Sequence, residues 1–183
     1  MIYGTDLQLV GLATGILLLV GHALALLRGP DCRRFLENFP RSRTCGLVLL
    51  TLAAIWSLFL VGSMDLGEFA SLRGLMMGAI ALGAVLSAIF VPEFLAVRAL
   101  GMLALLAAAP LLEAAFLRPE TSRLLLVVLA YVWIIAGLFW VGMPFLLRDQ
   151  IQWLLKLPGR FLGAAWGGLA YGAAILGCAL LFW

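Results

Sequence analysis

The sequence predicts an all-α fold: a polytopic integral membrane protein built as a bundle of six transmembrane helices. Three observations carry that prediction. Of the 183 residues, 65% are apolar and only 11% charged, whereas a soluble domain is about half apolar and a quarter charged. The mean hydropathy is +1.16, and the apolar residues are gathered into stretches of about 20, the number a helix needs to cross roughly 30 Å of hydrocarbon. The charged residues fall between these stretches and alternate in density from one gap to the next. This balance excludes a soluble globular domain, a disordered chain and a nucleic-acid-binding protein. The net charge of +3 is a topology signal, not an affinity for polyanions.

The elements follow in order along a single transmembrane domain, residues 1–183. Span one covers residues 7–27. Asp6, not a basic segment, precedes it, and its apolar run is too long for a signal-peptide core, so it reads as a retained span. Arg28-Gly29-Pro30-Asp31 stops it. A polar stretch then leads to span two, residues 45–64. An acidic-leaning loop with Asp65, Glu68 and Arg73 precedes span three, residues 74–91, which Pro92-Glu93 terminates. Span four covers residues 94–117 and ends in a run from Arg118 and Pro119 to Arg123. Span five covers 124–147 and span six 161–183. Two polar–apolar segments, 32–40 and 148–158, mix Arg or Lys with Phe, Leu and Trp. Both read as interfacial helices, with the alternative of a dedicated anionic-lipid or partner site.

The Lys and Arg residues give the orientation. Arg28, Arg33, Arg34, Arg41, Arg43, Arg98, Arg148, Lys156 and Arg160 fall on one side; Arg73, Arg118 and Arg123 fall on the other, which accounts for all twelve. The richer side is expected to be cytoplasmic, with both termini on the non-cytoplasmic side of a bacterial inner membrane. The bacterial source is read from the bias of eleven Arg to one Lys.

Small residues at helical spacing mark the expected tight contacts. Gly11 and Gly15 lie in span one, Gly74 and Gly78 in span three, and Gly163, Gly167, Gly168 and Gly172 in span six. In lipid, helices associate by close backbone approach and van der Waals contact, which small residues permit. Intramolecular packing is one use of these faces; docking of span six on another subunit is the other. Residues 52–62 and 129–142 echo each other (Leu-Ala-x-x-Trp, then Phe-x-Val-Gly with its spacing shifted), as an inverted repeat would.

Four ionisable residues form a candidate intramembrane polar site: His22, Glu93, Arg98 and Glu113. His22, the one histidine, lies eleven positions after Gly11, which returns it to within ~20° of the same helix face. It reads as a packed neutral side chain or as a proton-handling group. Glu93 and Arg98 lie at the same membrane level, so His22, Glu93 and Arg98 could form one cluster. Glu113 follows Pro110, which is expected to kink span four. Arg98 and Glu113 are ~22 Å apart along the helix and cannot pair. Trp153, Trp183, Tyr3 and Trp140 fall at interface depths, and Trp56, Trp133 and Trp166 fall in mid-span.

No catalytic motif, metal-ligand set or cofactor signature is present, and the three cysteines, Cys32, Cys45 and Cys178, make no CxxC pair. The sequence therefore points first to a small structural or accessory membrane subunit or assembly factor, acting through helix–helix contacts. Its partners would be the bilayer and other membrane subunits, or a second copy of the chain. The alternative is a small transporter or channel for an ion, solute or lipid that uses the kinked fourth span. An intramembrane enzyme is the third class, and only the His22/Glu93/Arg98 set offers it a reactive group.

Overall fold

The computed structural model describes Tyr3, Gly4 and residues 6–183. These are helical and turn residues with no strand among them. Among the described residues, six helices are long and apolar enough to span a membrane. They are α1 (Leu7–Leu27), α3 (Arg43–Ser63), α4 (Arg73–Phe90), α5 (Leu95–Ala115), α6 (Leu124–Gly142) and α8 (Pro158–Leu181); α2 (Gly29–Asn38) and α7 (Phe145–Leu155) are shorter.

Local chemistry sets the ends. The Asp6 carboxylate caps α1 by accepting from the Leu7 N–H at 2.9 Å, and the Ser42 hydroxyl caps α3 by accepting from Cys45 at 3.2 Å. That cap starts the second span at Arg43, two residues before the expected 45. Pro30 and Pro158 stand in the first turns of α2 and α8, where a missing N–H is harmless. Pro158 thus carries the sixth span back to 158 from the expected 161. The fourth span is trimmed to Leu95–Ala115, because Phe94 (φ 55) and Leu117 (φ 54) both adopt left-handed backbone at its two ends. The fifth span is corrected most. It stops at Gly142, not 147, because Pro144 cannot continue the backbone ladder; Phe145-Leu146-Leu147 open α7 instead. The third span, Arg73–Phe90, is led in by a 3-10 helix, Gly67–Leu72.

The fold is organised around α5. It packs on α3 along one side, on α6 along another, and touches α1, and it carries more buried residues than any other span. α5 is helical without interruption through Pro110. The main core joins Leu7 and Val10 of α1, Ala108, Leu111, Ala114 and Ala115 of α5, Leu126, Leu129 and Ala130 of α6, and Ile175 of α8. α1 and α8 form a second close pair. α4 is peripheral: it packs on α3 and contains no buried residue. The packing does not follow the echo between residues 52–62 and 129–142. α6 pairs closely with α5, whereas in the other half α1 pairs with α8 and not with α3.

α2 and α7 contact each other, and the Arg33 guanidinium stands 4.8 Å from the Phe161 ring at the start of α8. Together with the ends of α1, α6 and α8 and the α4–α5 turn, they form one basic end of the bundle. The opposite end carries Arg73, Arg118 and Arg123. There Arg118 pairs with Asp6 at 2.7 Å, Arg123 donates to the Ala115 carbonyl and Arg73 to that of Met64.

Candidate functional site

The four ionisable residues do not meet in one site; each has its own neighbours. The His22 Nδ1–H donates to the Leu18 carbonyl one turn earlier, at 2.8 Å. Its ring lies against Gly168 of α8, so closely that a Cβ on residue 168 would overlap it. Arg98 instead faces α6, where Nη1 donates to the Val141 carbonyl at 3.1 Å. The expected cluster of His22 with Glu93 and Arg98 is therefore not formed. His22 points along the α1–α8 seam and Arg98 toward Val141 of α6. Position along the chain carried no information on azimuth between helices.

Glu113 belongs to the other end. Its two carboxylate oxygens accept from the Tyr3 N–H at 3.0 and 3.2 Å, and one of them from Gly4 at 3.1 Å. The Tyr3 hydroxyl in turn accepts from Trp56 Nε1 at 2.8 Å. A line of hydrogen bonds thus runs from α3 through the segment before α1 to α5. We expect Glu113→Ala to release that segment. Each bond to a charged acceptor is worth ~1.5–3 kcal/mol, less where water reaches it. Amide exchange at Tyr3 and Gly4 should quicken by about tenfold or more. Unchanged exchange would show that the carboxylate does not hold the segment.

Glu93 lies at the basic end. It borders a polar cavity of about 560 Å³ together with Arg41, Arg43 and Arg148. Arg148 pairs with its neighbour Asp149 at 2.8 Å and stands 6.0 Å from the Phe94 ring. Phe94 holds a left-handed φ that is strained for a bulky residue. Its ring is held against the cluster of Val97, Leu147 and Ile151. Three guanidinium groups around one carboxylate favour anions, and at a membrane surface they suit acidic headgroups. The set holds no nucleophile and no paired acid and base. Among the described residues, no group of His, Cys, Asp and Glu comes together to hold a metal.

The glycines divide sharply. Along α1 and α8 they make an antiparallel seam in which Gly11 meets Ala179 and Trp183, Gly15 meets Leu176 and Gly172, and His22 meets Gly168. The indole of Trp183 lies over Gly11 and donates to the Ser122 hydroxyl at 2.6 Å. By contrast, Gly74, Gly78, Gly163 and Gly167 have no neighbouring atom within 4 Å of where a Cβ would stand. These four carry no packing within the bundle. The reason for Gly163 and Gly167 is geometric. α8 buries or half-buries Phe161, Ala165, Gly168, Gly172, Ile175 and Ala179, a strict 4-3-4-3-4 stripe, and two positions on from that stripe is ~200° around the helix.

Three glycines that carry packing stand in no Gly-x-x-x-Gly pattern. Gly46 faces the backbone of Ala96, and Gly101 and Gly137 face each other's carbonyls across α5 and α6. Isolation alone does not mark them, since Gly21, Gly83 and Gly177 also stand outside such patterns and have nothing within 4 Å of a Cβ. A glycine inside a helix costs helix stability, and at Gly46, Gly101 and Gly137 close approach of another helix offsets that cost.

The seam leaves α8 with a second face. Gly163, Gly167, Ala170 and Ala174 repeat at 4-3-4 and are all exposed. On α4, Gly74, Gly78 and Ala81 repeat at 4-3 and are likewise exposed. Compared with protein-family models, with curated proteins and with solved structures, the chain matches none.

Proposed function

We propose that the protein is a small accessory membrane subunit or assembly factor whose business is helix–helix contact, made through the outward faces of α8 and α4. The observation that carries this reading is the second small-residue stripe of α8, Gly163, Gly167, Ala170 and Ala174, opposite the stripe its own bundle consumes. A lipid-facing helix has no need of such a stripe, whereas a partner helix does. The peripheral α4 supports it, since its small-residue face is free along its length. The transport alternative finds less support. The membrane-level cleft beside α5 is apolar apart from two serines, the polar cavities lie at the basic end, and Glu113 is engaged with Tyr3 and Gly4. In this reading the basic end is cytoplasmic, both termini lie on the other side, and the membrane is a bacterial inner membrane.

A photo-crosslinking residue at Trp166 or Leu82, exposed positions beside Gly167 and Gly78, should give discrete protein adducts, in contrast to one at Val132, an exposed position on α6. Gly167→Leu and Gly78→Leu should remove those adducts. Because nothing lies within 4 Å of either site, each should leave the fold within ~0.5 kcal/mol of the parent. Adducts to lipid alone at both positions would end the proposal.

A further inference from the structure

We propose that the protein binds a fatty acid, a single aliphatic chain with a carboxylate head, between α3, α4 and α5, with the head on Arg98. The argument begins with Arg98 itself. A charged side chain within a span is costly, and such residues face a partner or a cavity. The Arg98 Nη1 has one carbonyl partner, on Val141, while its Nε is buried and has none. A buried donor left unmatched is unfavourable by ~1–3 kcal/mol, more for a charged group.

Arg98 borders a small pocket of about 90 Å³, otherwise lined by Ser87 and apolar side chains. That pocket shares Leu50, Ser87 and Met102 with a larger cleft of about 440 Å³. The cleft runs between α3, α4 and α5 from this junction toward Leu106 and Ser57, and its wall is apolar. Its volume lies in the ~300–1,000 Å³ range of small-ligand sites. Arg98 to Leu106 is eight residues of one helix, or ~12 Å. An apolar slot ~12 Å long that ends on a guanidinium with an unmatched N–H fits an amphiphile with one chain and one oxyanion.

The size of the head pocket chooses among such amphiphiles. At about 90 Å³, walled by Val91, Leu95, Ala99 and Val141, it admits a carboxylate but not a glycerophosphate. A guanidinium meets a carboxylate through paired N–H donors, and Arg98 is the one cationic residue among those that line the pocket. Arg98 lies in the first turn of α5, one turn inside the basic end, where the head of a bilayer amphiphile sits. Entry is lateral. α4 packs on α3 and buries none of its residues, so the cleft faces the acyl chains directly.

The test uses the whole protein in nanodiscs of neutral phosphatidylcholine, with bound ligand read by native mass spectrometry. Dodecanoate should be retained, and dodecyltrimethylammonium, with the same chain and a cationic head, should not. Arg98→Gln should weaken dodecanoate retention by about tenfold or more, the loss expected for a charge-assisted pair. Gly83→Phe provides an arm that spares Arg98. Gly83 lines the cleft and has open space at its Cβ, so the ring would occupy the chain's place and abolish retention while the fold survives. Equal retention of the two head types, or dodecanoate retention unchanged by Gly83→Phe, would overturn the proposal. So would Arg98-dependent binding of phosphatidylglycerol that excludes dodecanoate.

Discussion

Gly101→Leu and Gly137→Leu are each expected to abolish the folded bundle, the largest effect of any single change in the protein. A Cβ on residue 101 would stand 2.8 Å from the Gly137 carbonyl oxygen and 2.9 Å from the Val141 side chain. A Cβ on residue 137 would stand 2.8 Å from the Gly101 carbonyl oxygen and 3.0 Å from Leu105. The obstacle on both sides is backbone, which no rotamer change can move. The helices themselves must separate. That separation strips contact from Leu111, Ala114, Leu126 and Ala130, which lie in the same core, and pulls Arg98 from the Val141 carbonyl.

Adding methylenes to a packed core costs ~1–3 kcal/mol where side chains can yield, and more where they cannot. A whole domain has ~5–15 kcal/mol in hand. Alanine at either position should lower the unfolding temperature, and leucine should leave no monodisperse protein after extraction into detergent. Gly78→Leu, the same change in open space, is the control. A Gly101→Leu protein with the parent's unfolding temperature would mean that α5 and α6 do not meet at this point.

This contrast also shows what could be read from the chain alone. Span number and the sorting of charges to two ends depend on local hydropathy and on order along the chain, and both were legible. Partner choice depends on which faces meet, and a local motif cannot encode that. Gly163-x-x-x-Gly167 and Gly168-x-x-x-Gly172 look alike in sequence, yet one faces outward and the other makes the seam. What separates them is the longer stripe from Phe161 to Ala179, whose Phe and Ile hide a small-residue pattern. The same limit applies to the polar residues. The depths of His22, Arg98 and Glu113 follow from counting, but their partners come from α8, α6 and the Tyr3–Gly4 segment. The end of span five was legible at Pro144. The apolar Phe145-Leu146-Leu147 disguised it, because α7 opens with apolar residues that pack on the core at Leu147 and Ile151.

The second large effect concerns His22, and it takes the form of a rescue. Gly168→Ala alone should destabilise the protein by ~1–3 kcal/mol, since the new methyl would occupy the space of the imidazole ring. The ring cannot simply swing away, because its Nδ1–H is bound to the Leu18 carbonyl, and turning would break that bond within the α1–α8 seam. His22→Ala alone should cost less. It removes a hydrogen bond made within one helix and leaves a gap beside a glycine, which α8 can partly close. With both changes, two methyl groups face each other across the seam in the space that the ring filled. The pair should therefore be more stable than Gly168→Ala alone, with a coupling of ~0.5–3 kcal/mol between the sites. Thermal unfolding of the parent and the three variants in one detergent measures that coupling. Strict additivity would mean that the ring and the glycine do not constrain each other, and His22 would then return to consideration as a group with work of its own. A rescue would assign the histidine to the seam: a large knob whose hole is Gly168, followed one turn along α8 by Gly172, which meets Leu18, Leu19 and Gly15.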